Sequence, residues 1–236
     1  MKVIIVDNRI SKKCEKSLEK EGFYLIKLPP DPHLGAAVAS HPDTVLFYAD
    51  GEIITTADYC DAAAYVFSDI REMAPNVRIS FTDDRRNDRY PEDCIMNALV
   101  IGQRIFCKTD TVSQAICDFA IDRGYELIHT NQGYPACSVL AFGNNAITSD
   151  VGLASLLQKN GISTTLISQG GISLPPYQYG FIGGASGVVG SKIYFFGDIG
   201  THPDGKAICD AIISAGYTPV SLSDEGLCDF GGIILL

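Results

Sequence analysis

The chain holds four histidines and eight cysteines. Only a few stand where an apolar strand is about to begin, beside glycine or a polar neighbour. Cys137 follows Gly133, Tyr134 and Pro135 at the mouth of one apolar run. Cys228 and Asp229 precede Gly231 and Gly232 at the mouth of another. His41 and Asp43 flank Pro42 ahead of a third, and Asn97, Ser138 and Ser186 occupy comparable first-strand positions. An ionised thiol is a nucleophile, and an imidazole moves protons near neutral pH. Acids and amides at strand mouths can hold a cation or a polar ligand. Each residue also has a plainer reading. Asp43 can close the turn after Pro42, and His41 can be a surface-loop histidine. Asn97 and Ser138 can pair with backbone, Asp229 can satisfy backbone amides, and both thiols can be small buried side chains. His202, in Thr201-His202-Pro203-Asp204, reads as helix-start capping, and His129 as a rim residue ending a strand.

The elements that must position these residues repeat. Thr44–Thr56, Met96–Thr109, Cys137–Ser149 and Ser186–Thr201 each read as apolar strand, two-residue turn, apolar strand, helix start. The turns expected are Asp50-Gly51, Gly102-Gln103, Asn144-Asn145 and Gly190-Ser191, where Gly, Asn and Asp tolerate positive φ. Thr56, Thr109, Ser149 and Thr201 are the expected helix caps, each followed closely by an acid. Apolar spacing of three and four then marks helices, as in Val112, Ala115, Ile116 and Phe119, or Ile208, Ala211, Ile212 and Ala215. Pro75-Asn76, Gly124, Gly161 and Gly216 lie near the helix ends. Third strands follow at Val77–Phe81, Glu126–His129, Thr164–Ile167 and Thr218–Leu222.

The two ends complete the pattern. Lys2–Val6 reads as a strand, Ser11–Glu21 as a helix and Tyr24–Leu28 as a strand, which is a module lacking its first strand. Gly231–Leu236 is a strand with no module after it. Pairing the two would give a fifth module and remove two sticky edges. A unit this small buries too little surface to stand alone, so the modules must pack on one another. The fold expected is α/β, a closed ring of five strand–strand–helix–strand modules over residues 1–236 as a single domain.

Composition narrows the function. A net charge of −10 argues against a nucleic-acid or anionic-membrane partner and is compatible with a cationic ligand. Val3–Val6 is too short for a signal peptide, and no apolar stretch would span a bilayer. The cysteines form no Cys-x-x-Cys pairs, so a reducing cytosol without structural zinc, and no metal or other cofactor, is the expectation. Gly180–Gly190 precedes a strand rather than a helix, which excludes a dinucleotide fingerprint. Its glycines instead allow a close backbone approach. Gly170–Tyr179 reads as a lid or a rigid connector. Arg85, Arg86 and Arg89 read as a solvated rim, or as a subunit contact in a homo-oligomer.

Five such modules closed through the termini resemble the pentein propeller. His41-Pro42-Asp43, Gly133-Tyr134 leading into Cys137-Ser138, Gly180–Gly187 and Asp229–Ile233 look like a bacterial branch of that superfamily with no assigned reaction. The resemblance implies an α/β-propeller built around a central channel. It also implies guanidino-group chemistry, in which a cysteine thiolate attacks the guanidinium carbon, a histidine is general acid and base, and carboxylates grip the nitrogens. On that reading Cys137 or Cys228 is the nucleophile and His41 the proton shuttle. Asp43 and Asp229 hold the cation, and Asn97, Ser138 and Ser186 line the ligand site. The family's nucleophile belongs to the last module, where Gly231 or a neighbour stands and Cys228 is displaced outward. Its histidine belongs to a module near the middle. A hydrolase or amidinotransferase acting on a small cationic compound is one expectation. A non-catalytic propeller that serves as a protein-interaction scaffold is the other.

Overall fold

A computed structural model describes residues 2–236. The chain order is β1 (Lys2–Asp7), α1 (Lys12–Lys20), β2 (Phe23–Leu28), α2 (Pro42–Val45), β3 (Phe47–Ala49), β4 (Glu52–Thr56), α3 (Ala57–Ala62), α4 (Ala64–Met73) and β5 (Arg78–Thr82). There follow β6 (Leu99–Ile101), β7 (Arg104–Cys107), α5 (Gln114–Arg123), β8 (Glu126–His129), α6 (Pro135–Ser138), β9 (Val139–Phe142), β10 (Asn145–Thr148), α7 (Val151–Lys159) and β11 (Ser163–Leu166). The last part holds β12 (Ile172–Ser173), β13 (Ser186–Val189), β14 (Lys192–Phe195), α8 (Gly205–Ser214), β15 (Thr218–Ser221), β16 (Leu227–Cys228) and β17 (Ile234–Leu235). No described helix is long and apolar enough to cross a membrane.

Five three-stranded sheets share one pattern. The orders are β17-β1-β2, β3-β4-β5, β6-β7-β8, β9-β10-β11 and β13-β14-β15. In each, the first pair is antiparallel and the second parallel. The expected clasp of the two chain ends is present: Ile4 pairs with Leu235 and Ile5 with Ile234, and the Leu236 amide donates to the Val3 carbonyl at 3.0 Å. Only Ile234–Leu235 of the terminal run is strand, because Gly231 and Gly232 take positive φ. A short parallel pair, β12 with β16, stands apart from the five sheets.

The hairpin turns form as the residue types require, with one shift. Asp50, Gly102, Gly143 and Gly190 each open their turn with φ between 46° and 63°. The third turn is therefore Gly143-Asn144, one residue earlier than expected, because glycine takes the left-handed position more cheaply than asparagine. Three caps move as well. Ser113, Asp150 and Asp204 precede α5, α7 and α8, not Thr109, Ser149 and Thr201. The displaced Thr109 hydroxyl sits 2.8 Å from His129 Nδ1, and His202 Nδ1 accepts the Asp204 amide at 3.0 Å as local capping.

Each apolar cluster joins two of the five three-stranded sheets, and one of them also takes in Ile172 and Leu227 of the β12–β16 pair. Val3 and Ile5 on one face of β1 pack with Val45, Ile53 and Phe67 of the next module, whereas Ile4 and Val6 on the other face pack with Val189, Tyr194 and Phe196. This is the period-two alternation of a strand covered on both sides. Phe47 and Ile54 share a cluster with Ile105 and Phe119, Leu99 and Phe106 with Val139 and Leu157, and Leu140 and Ile147 with Ile193 and Ile212.

One sequence expectation is overturned outright. Arg86 is not a solvated rim residue: its side chain is 1% exposed. Its Nε lies 3.2 Å from Asp31 Oδ2, and its Nη2 donates to Thr56 Oγ1 at 2.6 Å. Its guanidinium stacks over the Tyr59 ring at 5.4 Å. A planar, weakly hydrated cation tolerates burial when its fork is matched by acceptors. Here it ties the segment between β5 and β6 to the neighbouring sheet.

Candidate functional site

The short segments that lead into the first strands supply the site. α2 leads into β3 and carries His41 at its cap and Asp43 in its first turn. The segment before β6 carries Asn97, α6 before β9 carries Cys137, and the segment between β16 and β17 carries Asp229. One donor atom each from His41, Asp43 and Cys137 lies within 4.8 Å of the other two. Asp229 Oδ1 is 3.7 Å from His41 Nδ1, and Asp7 Oδ2 is 3.8 Å from His41 Nε2. His41 is wholly buried, not the surface-loop residue that was its plainer reading, and neither ring nitrogen makes a hydrogen bond.

Asn97 fastens two segments together. Its Oδ1 accepts the Ala136 amide at 2.8 Å, and its Nδ2 donates to the Asp43 carbonyl at 2.9 Å and to Cys137 Sγ at 3.2 Å. Asp229 is held by the amides of Phe181 and Gly231, at 2.9 and 3.0 Å. Asp43 is half-buried as a residue, yet its Oδ2 is buried and accepts no hydrogen bond. Asp7 is paired with Arg9 at 2.5 Å.

Glycine makes this approach possible. A Cβ at Gly184 would collide with the Asp229 carboxylate, and one at Gly183 with the Ala136 and Cys137 carbonyls. Gly231 has φ +69°, and a Cβ there would strike His41. The space beside Gly231 is thus filled by His41, and the thiol nearest that imidazole comes from α6.

Burial sets the electrostatics. It pushes Asp229 up to about 7, reinforced by Asp43 and opposed by the two backbone amides. It raises Asp43 to about 6, against the favourable contacts of Cys137 and Thr44. His41 is driven down to about 3, mainly by burial and further by Arg9. The Cys137 thiol is held well above its ordinary range by burial and by the Asp43 and Asp229 charges, with Asn97 opposing. Burial thus favours a neutral imidazole and a neutral thiol, beside acids whose protonated forms it also favours. A cation placed here would favour the ionised acids and the thiolate together. His41, Asp43 and Cys137 are also the donors that a zinc-like ion would use.

His41, Cys137 and Asp229 line a cavity of about 510 Å³ whose walls include Tyr134, Tyr177, Tyr179 and Phe181. The Gly170–Tyr179 connector thus contributes to its wall. Asp43 lines a separate hollow of about 390 Å³ with Ser186, Gly231 and Gly232. Two larger hollows, of about 700 and 850 Å³, contain none of His41, Asp43, Cys137 or Asp229.

The remaining candidates stand apart. Ser138 Oγ accepts from the Gln132 amide, and Ser186 Oγ donates to the Ile182 carbonyl at 2.7 Å. Cys228 is half-buried on β16 and its Sγ lies 3.9 Å from the Asp229 carbonyl. Burial pushes this thiol up to about 11, and it does not line the cavity. Sequence reasoning missed Asp7, whose only signal was an acid ending an apolar strand.

Solved structures share this architecture. DDAH from Pseudomonas aeruginosa, complexed with citrulline, aligns over 94% of this chain and 92% of its own, with a TM-score of 0.56 at 11% identity. A dimethylarginine dimethylaminohydrolase adduct with S-methyl-L-thiocitrulline aligns over the same shares, with a TM-score of 0.56 at 10% identity. SxtG, an amidinotransferase from Microseira wollei in the saxitoxin biosynthetic pathway, aligns over 99% and 94%, with a TM-score of 0.60 at 11% identity. The fold is the α/β fold of the pentein superfamily. The chain belongs to the Family of unknown function (DUF6873), which matches residues 5–234. No curated protein matches the sequence.

Proposed function

We propose that this protein binds a small guanidino compound in the cavity above His41, Cys137 and Asp229 and transfers or hydrolyses its amidino group through Cys137. The observation that carries the reading is the convergence of one thiol, one imidazole and two acids, drawn from segments far apart in sequence, around one buried point. The pentein fold supports it, because its solved relatives include an amidinotransferase and complexes with citrulline and S-methyl-L-thiocitrulline. The same reading takes the five sheets as five blades around a common axis, in keeping with the terminal strand pair and the shared clusters. Eight free cysteines suit a reducing compartment, and the cytosol is the proposed location.

In the proposed reaction the guanidinium lies against Asp229, whose ionisation it favours. Its charge lowers the Cys137 thiol toward the thiolate. As the C–S bond forms, the thiol proton passes to His41. The transient imidazolium is steadied by Asp229 and Asp7, at 3.7 and 3.8 Å. His41 returns that proton to the departing nitrogen as the C–N bond breaks, leaving an amidino group on sulfur. Water, or an amine in transfer, then attacks the amidino carbon and gives a proton to His41; the C–S bond breaks and His41 returns that proton to Cys137, freeing urea or the transferred guanidine.

The test is incubation with arginine, methylated arginines, 4-aminobutylguanidine and creatine, while following release of ammonia, amine or urea. The expected result is turnover that Cys137→Ser abolishes and Cys228→Ser leaves intact. Turnover that survives Cys137→Ser would overturn the role of this thiol. Absence of turnover, with Cys137 inert to iodoacetamide whether or not a guanidine is present, would overturn cysteine catalysis.

A further inference from the structure

Three side chains of different chemistry meet where the α2 and α6 segments approach. One donor atom each from His41, Asp43 and Cys137 lies within 4.8 Å of the other two. The His41 side chain is 1% exposed, and neither ring nitrogen makes a hydrogen bond. Asp43 Oδ2 is buried and accepts none. Cys137 is 3% exposed, and its Sγ receives the Asn97 side-chain amide at 3.2 Å. The neighbouring acids are already engaged. Asp229 accepts the Phe181 amide on Oδ2 and the Gly231 amide on Oδ1, and both carboxylate oxygens of Asp7 accept from Arg9.

Buried nitrogen and oxygen atoms without partners cost free energy. Water would serve the imidazole and the carboxylate but gains little from sulfur, a weak hydrogen-bonding partner. A zinc-class ion binds all three donor types. Tetrahedral bonds to zinc place such donors about 3.4–3.6 Å apart, so no pair here has to close by more than about 1.5 Å. His41 also has the outer support of a metal ligand. Asp229 Oδ1 stands 3.7 Å from Nδ1 and Asp7 Oδ2 3.8 Å from Nε2, so whichever nitrogen binds, the other faces a carboxylate. His41 and Cys137 line the cavity of about 510 Å³, where Asp88 and Asp93 add negative charge and no described Lys or Arg side chain opposes it.

We propose that His41, Asp43 and Cys137 bind a divalent zinc-class ion through one nitrogen, one oxygen and one sulfur, with the fourth coordination position open to that cavity. The ion would hold the segments leading into β3 and β9 together. This site does not rest on the guanidino reading, and ion and guanidine exclude one another at Cys137.

Cobalt(II) titration of the chelator-treated full chain at pH 7.5 tests the site. The expected result is one equivalent bound, with the visible ligand-field bands of a four-coordinate ion and an intense near-ultraviolet thiolate-to-cobalt band, both lost on adding Zn²⁺. Cys137→Ser is expected to remove the near-ultraviolet band. Asp43→Asn and His41→Ala are expected to weaken Zn²⁺ binding roughly tenfold or more, read by competition with a chromophoric chelator. Cys228→Ser is expected to change neither. Circular dichroism identifies a variant that fails to fold, and Asp43→Asn, which keeps the side chain's shape, then carries the test. A thiolate band that survives Cys137→Ser would overturn the site, as would a bound ion lacking that band. So would Zn²⁺ affinity unchanged by Asp43→Asn and His41→Ala, or no binding at millimolar cobalt. The guanidine assay uses the metal-free chain, so failure of cobalt to bind leaves that reading standing, and absence of turnover leaves the cobalt spectrum to decide this one.

Discussion

The side-chain amide of Asn97 donates to the sulfur of Cys137 at 3.2 Å while its oxygen receives the amide of Ala136, the residue before that cysteine, at 2.8 Å. One side chain thus fixes the position of the thiol and supplies its hydrogen-bond donor. Asn97→Ala is expected to slow alkylation of Cys137 and shift its pH profile upward. It is also expected to cost about 1–3 kcal/mol of stability, because the Ala136 amide and the Asp43 carbonyl lose a buried partner. Iodoacetamide kinetics against pH and urea denaturation measure the two effects. An unchanged alkylation profile would dissociate Asn97 from the thiol.

Ionisation of Cys137 is expected to depend on a bound cation. In the resting site the thiol faces burial and two acids, all of which oppose the thiolate. A saturating guanidine that leaves Sγ accessible should accelerate alkylation of Cys137 at pH 7 and leave Cys228, held up to about 11 by its own burial, unaffected. Mass-spectrometric mapping of modified cysteines with and without the guanidine distinguishes the two thiols.

Stability should follow pH through the same group. Asp229 and Asp43, raised to about 7 and 6, keep protons in the folded chain that the unfolded chain has released above its ordinary 3.8. Their contribution is fully present below about pH 4 and is lost as pH rises through 6 and 7. His41 acts in the opposite sense. Lowered to about 3 from 6.5, it contributes stability above about pH 6.5 that is lost as pH falls toward 3. Asp229→Asn removes one descending contribution, so the loss of Tm between pH 5 and pH 8 is expected to be smaller than in the parent. An identical pH dependence in both would show that Asp229 does not titrate in this range.

Arg86→Met tests the buried cation that anchors the segment carrying Asp88 and Asp93. The substitution takes the guanidinium away from the buried Asp31 carboxylate, leaving it only its contacts with His33, and is expected to cost about 3 kcal/mol. Adding Asp31→Asn should recover part of that loss. Urea denaturation of the single and double variants measures the coupling. Strictly additive losses would mean that the pair contributes no interaction of its own.

Gly231→Ala is expected to destabilise by more than an exposed glycine substitution would, since its left-handed φ and the His41 side chain both oppose a Cβ. Gly102→Ala has a similar φ of 58° with nothing near it and serves as the comparison. Thermal melts of the two variants should rank Gly231→Ala as the more costly. The reverse ranking would mean that α2 yields without penalty.

Much of this architecture was legible because it rests on local signals. Alternation, glycine turns and helix starts placed the four repeated units, and the two half-units at the ends implied the pairing of the terminal strands, seen as Ile4 with Leu235. Polar residues at strand mouths pointed to His41, Asp43, Asn97, Cys137 and Asp229, which the fold brings together. What could not be read were partners set by tertiary packing. Arg86 looked solvated because nothing local announces Asp31 or Tyr59 as its neighbours, and Asp93 sits in a segment without periodicity. The burial of His41 was hidden for the same reason: its neighbours Asp7 and Asp229 lie at opposite ends of the chain.

Every apolar cluster joins two of the five three-stranded sheets, so no sheet owns the contacts that stabilise it. Melting one sheet strips an interface from each neighbour, and the damage passes onward in both directions. Amide protons on all five sheets should therefore exchange at one common slow rate instead of as independent patches. His41, Cys137 and Asp229, each lent by the segment that leads into a different sheet, would be intact or dispersed as a set, with no half-assembled state between.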